Sequence, residues 1–314
     1  MPLPTGLQER LAIPAIAAPM FLTSGPDLVV ECCRSGVLGT FPALNPRTSQ
    51  GFAAWVEEIE ARLAAVSGAA PYGVNLIVHR TNPRLQADLE IVVKHKAPVI
   101  ITSLGAVKEV VDAVHSYGGM IFHDVISRRH AEKAAAAGVD GIIGVAAGAG
   151  GHAGTLSPFA LLAEIRQVFD GILILSGAMN TGRDIAAARM MGADLAYLGS
   201  RFIATRESLV GDDQKQMMLE SQAADVIYTP KVSGVNANFL RGSLEEAGIL
   251  DDDQPGHVEM NMNAEARAWK TVWSAGQGVG SIRDVPPAAE LCARLISEYR
   301  TALREVVSDP FAAS

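Results

Sequence analysis

The chain has 314 residues, of which 49% are hydrophobic, and it carries a formal net charge of -8. That length admits one large α/β barrel or two ordinary domains with a sizeable buried core. An acidic balance without long Lys/Arg clusters argues against nucleic acid or an anionic membrane surface as partner, and for small molecules.

Cys32, Cys33 and Cys292 form no C-x-x-C pair and have no metal-ligand spacing, so a reduced, cytoplasmic protein without a bound metal is expected. The first twenty residues lack a basic n-region and are interrupted by Pro14 and Pro19, which reads as a strand rather than a leader. No run of 18 uncharged apolar residues suggests a membrane span.

In chain order, eight short runs rich in Val, Ile, Leu and Ala predict strands. They are "AIAAPM" (15–20), "VLGTFPA" (37–43), "YGVNLIV" (72–78), "VIITSLG" (99–105), "GMIFHDV" (119–125), "GIIGVAA" (141–147), "GILILSGA" (171–178) and "LAYLGS" (195–200). Helical segments lie between them, and Gly36, Gly138 and Gly192 stand where helix C-termini want glycine. Thr181 and Asp184 have capping-box spacing. Eight βα units favour a TIM (β/α)8 barrel over a doubly wound sheet, which usually stops near six strands. The rhythm breaks after "RFIATRES". The expected division is a barrel over 1–210 and 273–314, closed by a returning terminal helix, with a smaller, mainly helical capping domain over 211–272.

The loop "AAGAGGHAG" (146–154) holds Gly148, Gly150 and Ala153 in the G-x-G-x-x-A spacing of a dinucleotide fingerprint, and Asp170 follows. That fingerprint needs a helix opening inside the motif, whereas helix signals here wait for Ser157-Pro158, and the preceding strand is the sixth. A long glycine-rich loop after a barrel strand lies instead on the C-terminal face, and it carries one proton-transfer group, His152. The loops after the seventh and eighth barrel strands, "SGAMNTG" (176–182) and "GSRFIATRES" (199–208), occupy the usual phosphate position. Gly177, Ala178, Gly199 and Ser200 leave their backbone N–H groups accessible there. Arg201 either adds charge or forms a structural ion pair, with Glu207 as the expected partner.

The ordered set "APM" (18–20), "YGVNL" (72–76), "AGVDGIIGVAAGAGGHAG" (137–154), "LSGAMNTG" (175–182), "MGADLAYLGSRFIATRES" (191–208) and "WSAGQGVG" (273–280) resembles the nitronate monooxygenase (2-nitropropane dioxygenase-like) flavoproteins. That family includes FMN-dependent NAD(P)H:quinone reductases and enoyl-acyl-carrier-protein reductases. The resemblance implies a TIM barrel holding FMN noncovalently under a second domain. By motif, His152 would be the catalytic base, Ala18 and Met20 would lie by the flavin and Asn75 would bond to it. Gly150, Gly151, Ser176, Gly177, Ala178, Gly199 and Ser200 would line the ring and phosphate positions.

Three departures accompany the resemblance. "AGAGGHAG" lacks the Glu and Arg that flank the histidine in "EAGGHRG"; Gly177-Ala178 and Gly199-Ser200-Arg201 stand for "GG" and "GTR"; and "HDV" places His123-Asp124 where the quinone reductases carry a Lys. Asp124 is assigned to the cofactor site and His123 to the substrate, but an acid facing the flavin phosphate would be repulsive, so either Asp124 turns towards another partner or this strand end serves a different role. His79 and Arg80 after the third strand are candidates for binding an anionic substrate. The implied activity is FMN-dependent oxidation of alkyl nitronates by dioxygen to a carbonyl compound and nitrite. The alternatives are an NAD(P)H-dependent reductase of quinones or enoyl thioesters, and a non-catalytic flavin-binding barrel. If the chain associates, a homodimer is the expected assembly.

Overall fold

A parallel strand buried on both faces needs apolar side chains at every position, and the eight predicted runs meet that requirement. The computed structural model describes residues 3–105, 108–232, 234–250 and 271–311. Its strands are β1 (Ala15–Ala17), β2 (Leu38–Pro42), β3 (Tyr72–Ile77), β4 (Val99–Ser103), β5 (Met120–Val125), β6 (Gly141–Val145), β7 (Gly151–His152), β8 (Ile172–Ser176), β9 (Leu195–Leu198), β10 (Val226–Thr229) and β11 (Ala237–Leu240). All but β7, β10 and β11 close into one parallel barrel in the order β1-β2-β3-β4-β5-β6-β8-β9, with β9 returning to β1. This is the TIM barrel expected from the eight runs.

The pleat sorts the strand side chains into two cores. Val99, Ile101, Phe122, Ile143, Ile174 and Leu195 pack together in the barrel lumen. Their neighbours Ile100, Ile121, Ile142, Leu173 and Leu175 pack outward against helical residues such as Leu28, Phe52 and Val92. The same alternation carries Asn75, Ser103, Asp124 and Ser176 to the lumen face at the C-terminal ends of β3, β4, β5 and β8, where the apolar series gives way to polar groups.

The helices of the outer ring include α1 (Thr5–Gln8), α2 (Pro26–Arg34), α3 (Ser49–Ala64), α4 (Leu85–His95), α5 (Lys108–His115), α6 (Arg128–Ala137), α7 (Pro158–Arg166) and α8 (Gly182–Met190). Gly36, Gly138 and Gly192 all adopt positive φ just beyond helix ends, as a left-handed C-terminal cap requires. Thr181 and Asp184 complete a reciprocal capping box at the start of α8. Ser157 caps α7, with Pro158 in its first turn. The late helix start that spoke against a dinucleotide loop is therefore present.

Beyond the barrel come α9 (Ser200–Ile203), α10 (Asp212–Glu220), α11 (Arg241–Glu246) and the long α12 (Ala288–Val307). The last of these packs on α2 and α8, the return to the barrel that the terminal apolar spacing suggests. Within 211–272, α10 and α11 match the helical expectation. The hairpin β10–β11 was not foreseen. The acidic run at 251–253, Arg267 and Lys270 lie outside the described residues.

The hairpin explains the position of the glycine loop. β11 pairs antiparallel with β10 on one side and with β7 on the other, in the register Ala237↔His152 and Asn238↔Gly151. The histidine loop thus leaves the barrel and becomes the edge strand of a three-stranded sheet whose other two strands are β10 and β11. No helix among the described residues is long and apolar enough to cross a membrane.

Candidate active site

The C-terminal ends of the barrel strands open into a cavity of about 1400 Å³. Ala18, Met20, Asn75, Asp124, Gly150, Gly151, His152, Ser176, Gly177, Ala178, Gly199 and Ser200 all line it. Residues widely separated in sequence meet there because every parallel strand ends at the same mouth.

His152 is half-buried on β7 and is held by the hairpin. Three bonds fix its loop. The buried Asn238 donates its side-chain amide to the Ala149 carbonyl at 2.6 Å, the Tyr228 hydroxyl donates to the Ala153 carbonyl at 3.0 Å, and the Gln277 N–H donates to the Gly148 carbonyl at 2.8 Å. Asn238→Ala would leave the Ala149 carbonyl buried without its donor, a cost of about 1–3 kcal/mol concentrated at the loop. The expected result is a lower unfolding midpoint, read by chemical denaturation.

The loop's glycines divide between two tasks. A Cβ on Gly150 would meet the Gly276 backbone nitrogen at 2.8 Å, and one on Gly276 would meet the Gly148 carbonyl oxygen at 2.6 Å. These glycines let the 273–280 motif pass against the histidine loop, so loop packing accounts for Gly150 independently of any ligand. Gly199 differs: the nearest atom to an added Cβ is the Met20 sulfur at 3.7 Å. Packing does not demand a glycine there, and its absent side chain leaves space beside Met20 that a ligand can occupy.

Gly177 (φ 146°) and Ala178 (φ 53°) turn the chain after β8 in the positive-φ region, and for Ala178 this conformation is uncommon. Ser200 accepts a hydrogen bond from the Gly276 N–H at 2.7 Å, and Asn180 donates to the Gly278 carbonyl and to the Ser281 hydroxyl. Both loops at the expected phosphate position are therefore braced by the 273–281 segment. Arg201 does not reach this position. It is buried and donates to Asp284 Oδ1 at 2.6 Å and to the Asp284 and Ala204 carbonyls. The expected partner Glu207 instead accepts from the Ala288 N–H at the start of α12.

At the ends of β3, β4 and β5, Asn75 donates to Ser103 Oγ at 2.8 Å, and Ser103 donates to Asp124 Oδ2 at 2.5 Å. Burial pushes Asp124 up to about 6, although the Ser103 hydroxyl and the nearby His152 pull the other way. Its second oxygen, Oδ1, is buried and accepts no hydrogen bond among the described residues. Ser103 has no motif to announce it. Its lumen parity in "VIITS" is the signal that would have found it.

The two histidines expected at the substrate are placed differently. His79 sits on the turn after β3, bonded through Nδ1 to Thr81 at 2.8 Å, and is not among the cavity-lining residues. His123 touches the cavity wall, but strand alternation turns it away from the lumen, where Nδ1 pairs with Thr102 Oγ1 at 2.7 Å. Burial, reinforced by the neighbouring His130, lowers it to about 4 against the effect of Thr102, so it is neutral and offers an anion no charge. Arg84 donates to the buried Asp88 and to the Ala43 and Pro46 carbonyls, which ties the loop after β2 to α4. No group of three His, Cys, Asp or Glu able to hold a metal occurs among the described residues.

A TIM barrel with one large cavity at its strand ends, a histidine at the rim and two braced small-residue loops across from a buried carboxyl defines an enzyme of small-molecule chemistry. The chain matches the nitronate monooxygenase family model over residues 7–298 and belongs to that family of oxidoreductases. It is 24% identical over 352 residues to a nitronate monooxygenase of Paraburkholderia phytofirmans (strain DSM 17436 / LMG 22146 / PsJN), covering 93% of this chain and 94% of that one. It is 26% identical over 254 residues to (3aS,4S,5R,7aS)-5-hydroxy-7a-methyl-1-oxo-octahydro-1H-indene-4-carboxyl-CoA dehydrogenase of Rhodococcus jostii (strain RHA1), covering 78% and 69%. The structure of a nitroalkane oxidase from Streptomyces ansochromogenes shares the fold, with a TM-score of 0.83 and 24% identity over 96% of this chain and 100% of that one.

Proposed function

We propose that the chain oxidises alkyl nitronates with dioxygen, using FMN held noncovalently in the barrel mouth and releasing a carbonyl compound and nitrite. The observation that carries this reading is the placement of His152 on the rim of the same cavity whose floor is Asn75, Ser103 and Asp124 and whose far wall is Gly177, Ala178, Gly199 and Ser200. The loops after β8 and β9 would hold the phosphate, and the polar side chains at the ends of β3–β5 would be available to the ring. The open space at Gly199 beside Met20 and the unpaired Asp124 oxygen fit such a group.

When bound, FMN supplies the electron-transfer chemistry, which no side chain here provides. The protein's own contribution is positional. Gly177, Ala178, Gly199 and Ser200 would hold the phosphate through backbone and hydroxyl donors, Ala18 and Met20 would support the ring, and Asn75 would hydrogen-bond its polar edge. Gly150 and Gly151 carry the chain past it. Ser176, at the end of β8, shares the lumen face with these groups. His152 removes the α-proton when the substrate arrives as a neutral nitroalkane, because an imidazole suits abstraction from a weak carbon acid near neutral pH. A protein colourless after incubation with FMN removes the cofactor. Anaerobic mixing with an alkyl nitronate is expected to bleach the flavin, and rapid bleaching by NADH or NADPH instead removes the monooxygenase reading.

A second reading, a flavin-dependent reductase or dehydrogenase acting on a thioester, draws on two observations. The Rhodococcus relative is a carboxyl-CoA dehydrogenase, and the exposed Arg47 and Lys133 line the cavity rim, where an anionic tail would find them.

A further inference from the structure

Asp124 lines the cavity with one carboxyl oxygen bonded to Ser103 and the other buried without a donor among the described residues. The groups that face it are few. Ser103 on β4 and Asn75 beyond it on β3 are neutral, Ile143 on β6 stands opposite it in register, and Tyr197 on β9 is a buried phenol whose ionisation burial and the nearby Asp124 carboxylate both oppose. His152 on β7 is close enough for its charge to be felt, and the adjacent His123 is turned outwards and neutral. A buried carboxylate in such surroundings lacks the two or three donors that normally hold it ionised.

We propose that Asp124 takes up a proton as the flavin seats, and meets the ring as a neutral carboxylic acid. This rests on the flavin reading above. A flavin ring seated over Asp124 would exclude water from the cavity side of this residue, and its polar edge would bring carbonyl oxygens and ring-nitrogen lone pairs beside a single N–H. An ionised carboxylate would oppose those acceptors, whereas the acid form supplies the missing donor. Burial has already brought the group to about 6 before that side is covered. Covering it moves protonation further into the neutral range, so binding and protonation are linked. The sign follows: the complex holds the proton more tightly than the free chain, so affinity is greatest at low pH. It falls as pH rises above about 6, by at most about tenfold per unit.

The test is isothermal titration of the flavin-free chain at pH 7.5 in two buffers of different ionisation enthalpy, with FMN and then with riboflavin, whose lack of phosphate removes that group's own titration. Wild type is expected to take up between about half a proton and one proton more per bound flavin than Asp124→Asn, for both ligands. Equal proton counts in the two proteins would overturn the proposal while leaving the flavin reading intact. Failure of both proteins to bind either flavin would overturn both. Ser103→Ala provides an independent arm should the Asn variant not fold. Losing the hydroxyl that favours the ionised form should shift the onset of the affinity loss to higher pH, and an unmoved onset counts against the proposal.

Discussion

Replacing His152 with Asn is expected to slow turnover of a neutral nitroalkane by about 10²–10⁴-fold, with a far smaller loss on the preformed nitronate. Asn keeps a polar side chain of similar reach on β7, so the pairing of Ala237 with His152 and of Asn238 with Gly151 is undisturbed. It cannot accept and release a proton near neutral pH. A nitroalkane needs that step before it can be oxidised, and a nitronate has already passed it. Steady-state kinetics on both substrates make the comparison, with flavin absorbance confirming that the site is loaded. Equal losses on the two substrates would remove the base assignment and leave His152 a positioning role.

Gly182→Val is expected to be the most damaging single change to the fold. Gly182 opens α8, and a Cβ there would lie well inside contact distance of the Leu295 carbonyl oxygen and the Tyr299 nitrogen of α12. Its N–H also donates to Glu298 Oε2 at 2.7 Å, so the two helices touch backbone to backbone at this point. Backbone cannot rotate aside as a side chain can, and the cost is expected to be about 3 kcal/mol or more. Thermal unfolding should show a midpoint lower by about 5 °C or more, whereas Gly211→Val, where an added Cβ meets nothing within 4 Å, serves as the neutral comparison. Comparable shifts in the two variants would mean that the α8–α12 contact does not hold the barrel closed.

The legibility of this chain differs from residue to residue for physical reasons. The barrel strands were readable because burial on both faces imposes a local composition, and the helix ends because caps are local chemistry. The Ser157-Pro158 start and the Thr181–Asp184 box are examples. The division of labour along β5 was harder to read. His123 and Asp124 are adjacent, and one lies on each face of the sheet; only counting the pleat from Phe122 in the lumen shows which is which. Ser103 and Tyr197 could have been found by the same count. Arg201 paired with Asp284, more than eighty residues on, instead of the nearby Glu207. Asn238 and the hairpin left no signal near the histidine they hold.

The sequence by itself determined the architecture, because strand burial, helix capping and glycine C-caps depend on neighbours within a few residues. It also brought His152 forward as the one proton-transfer group in its loop. What only the tertiary structure decided is what surrounds that histidine. Strand pairing between β7 and β11 joins positions more than eighty residues apart, and lumen parity sets Asp124 beside Ser103 with one oxygen unpaired. Such contacts arise from closure of the barrel and the return of the capping segment, and no local pattern encodes the distance between groups that meet only when the chain is folded.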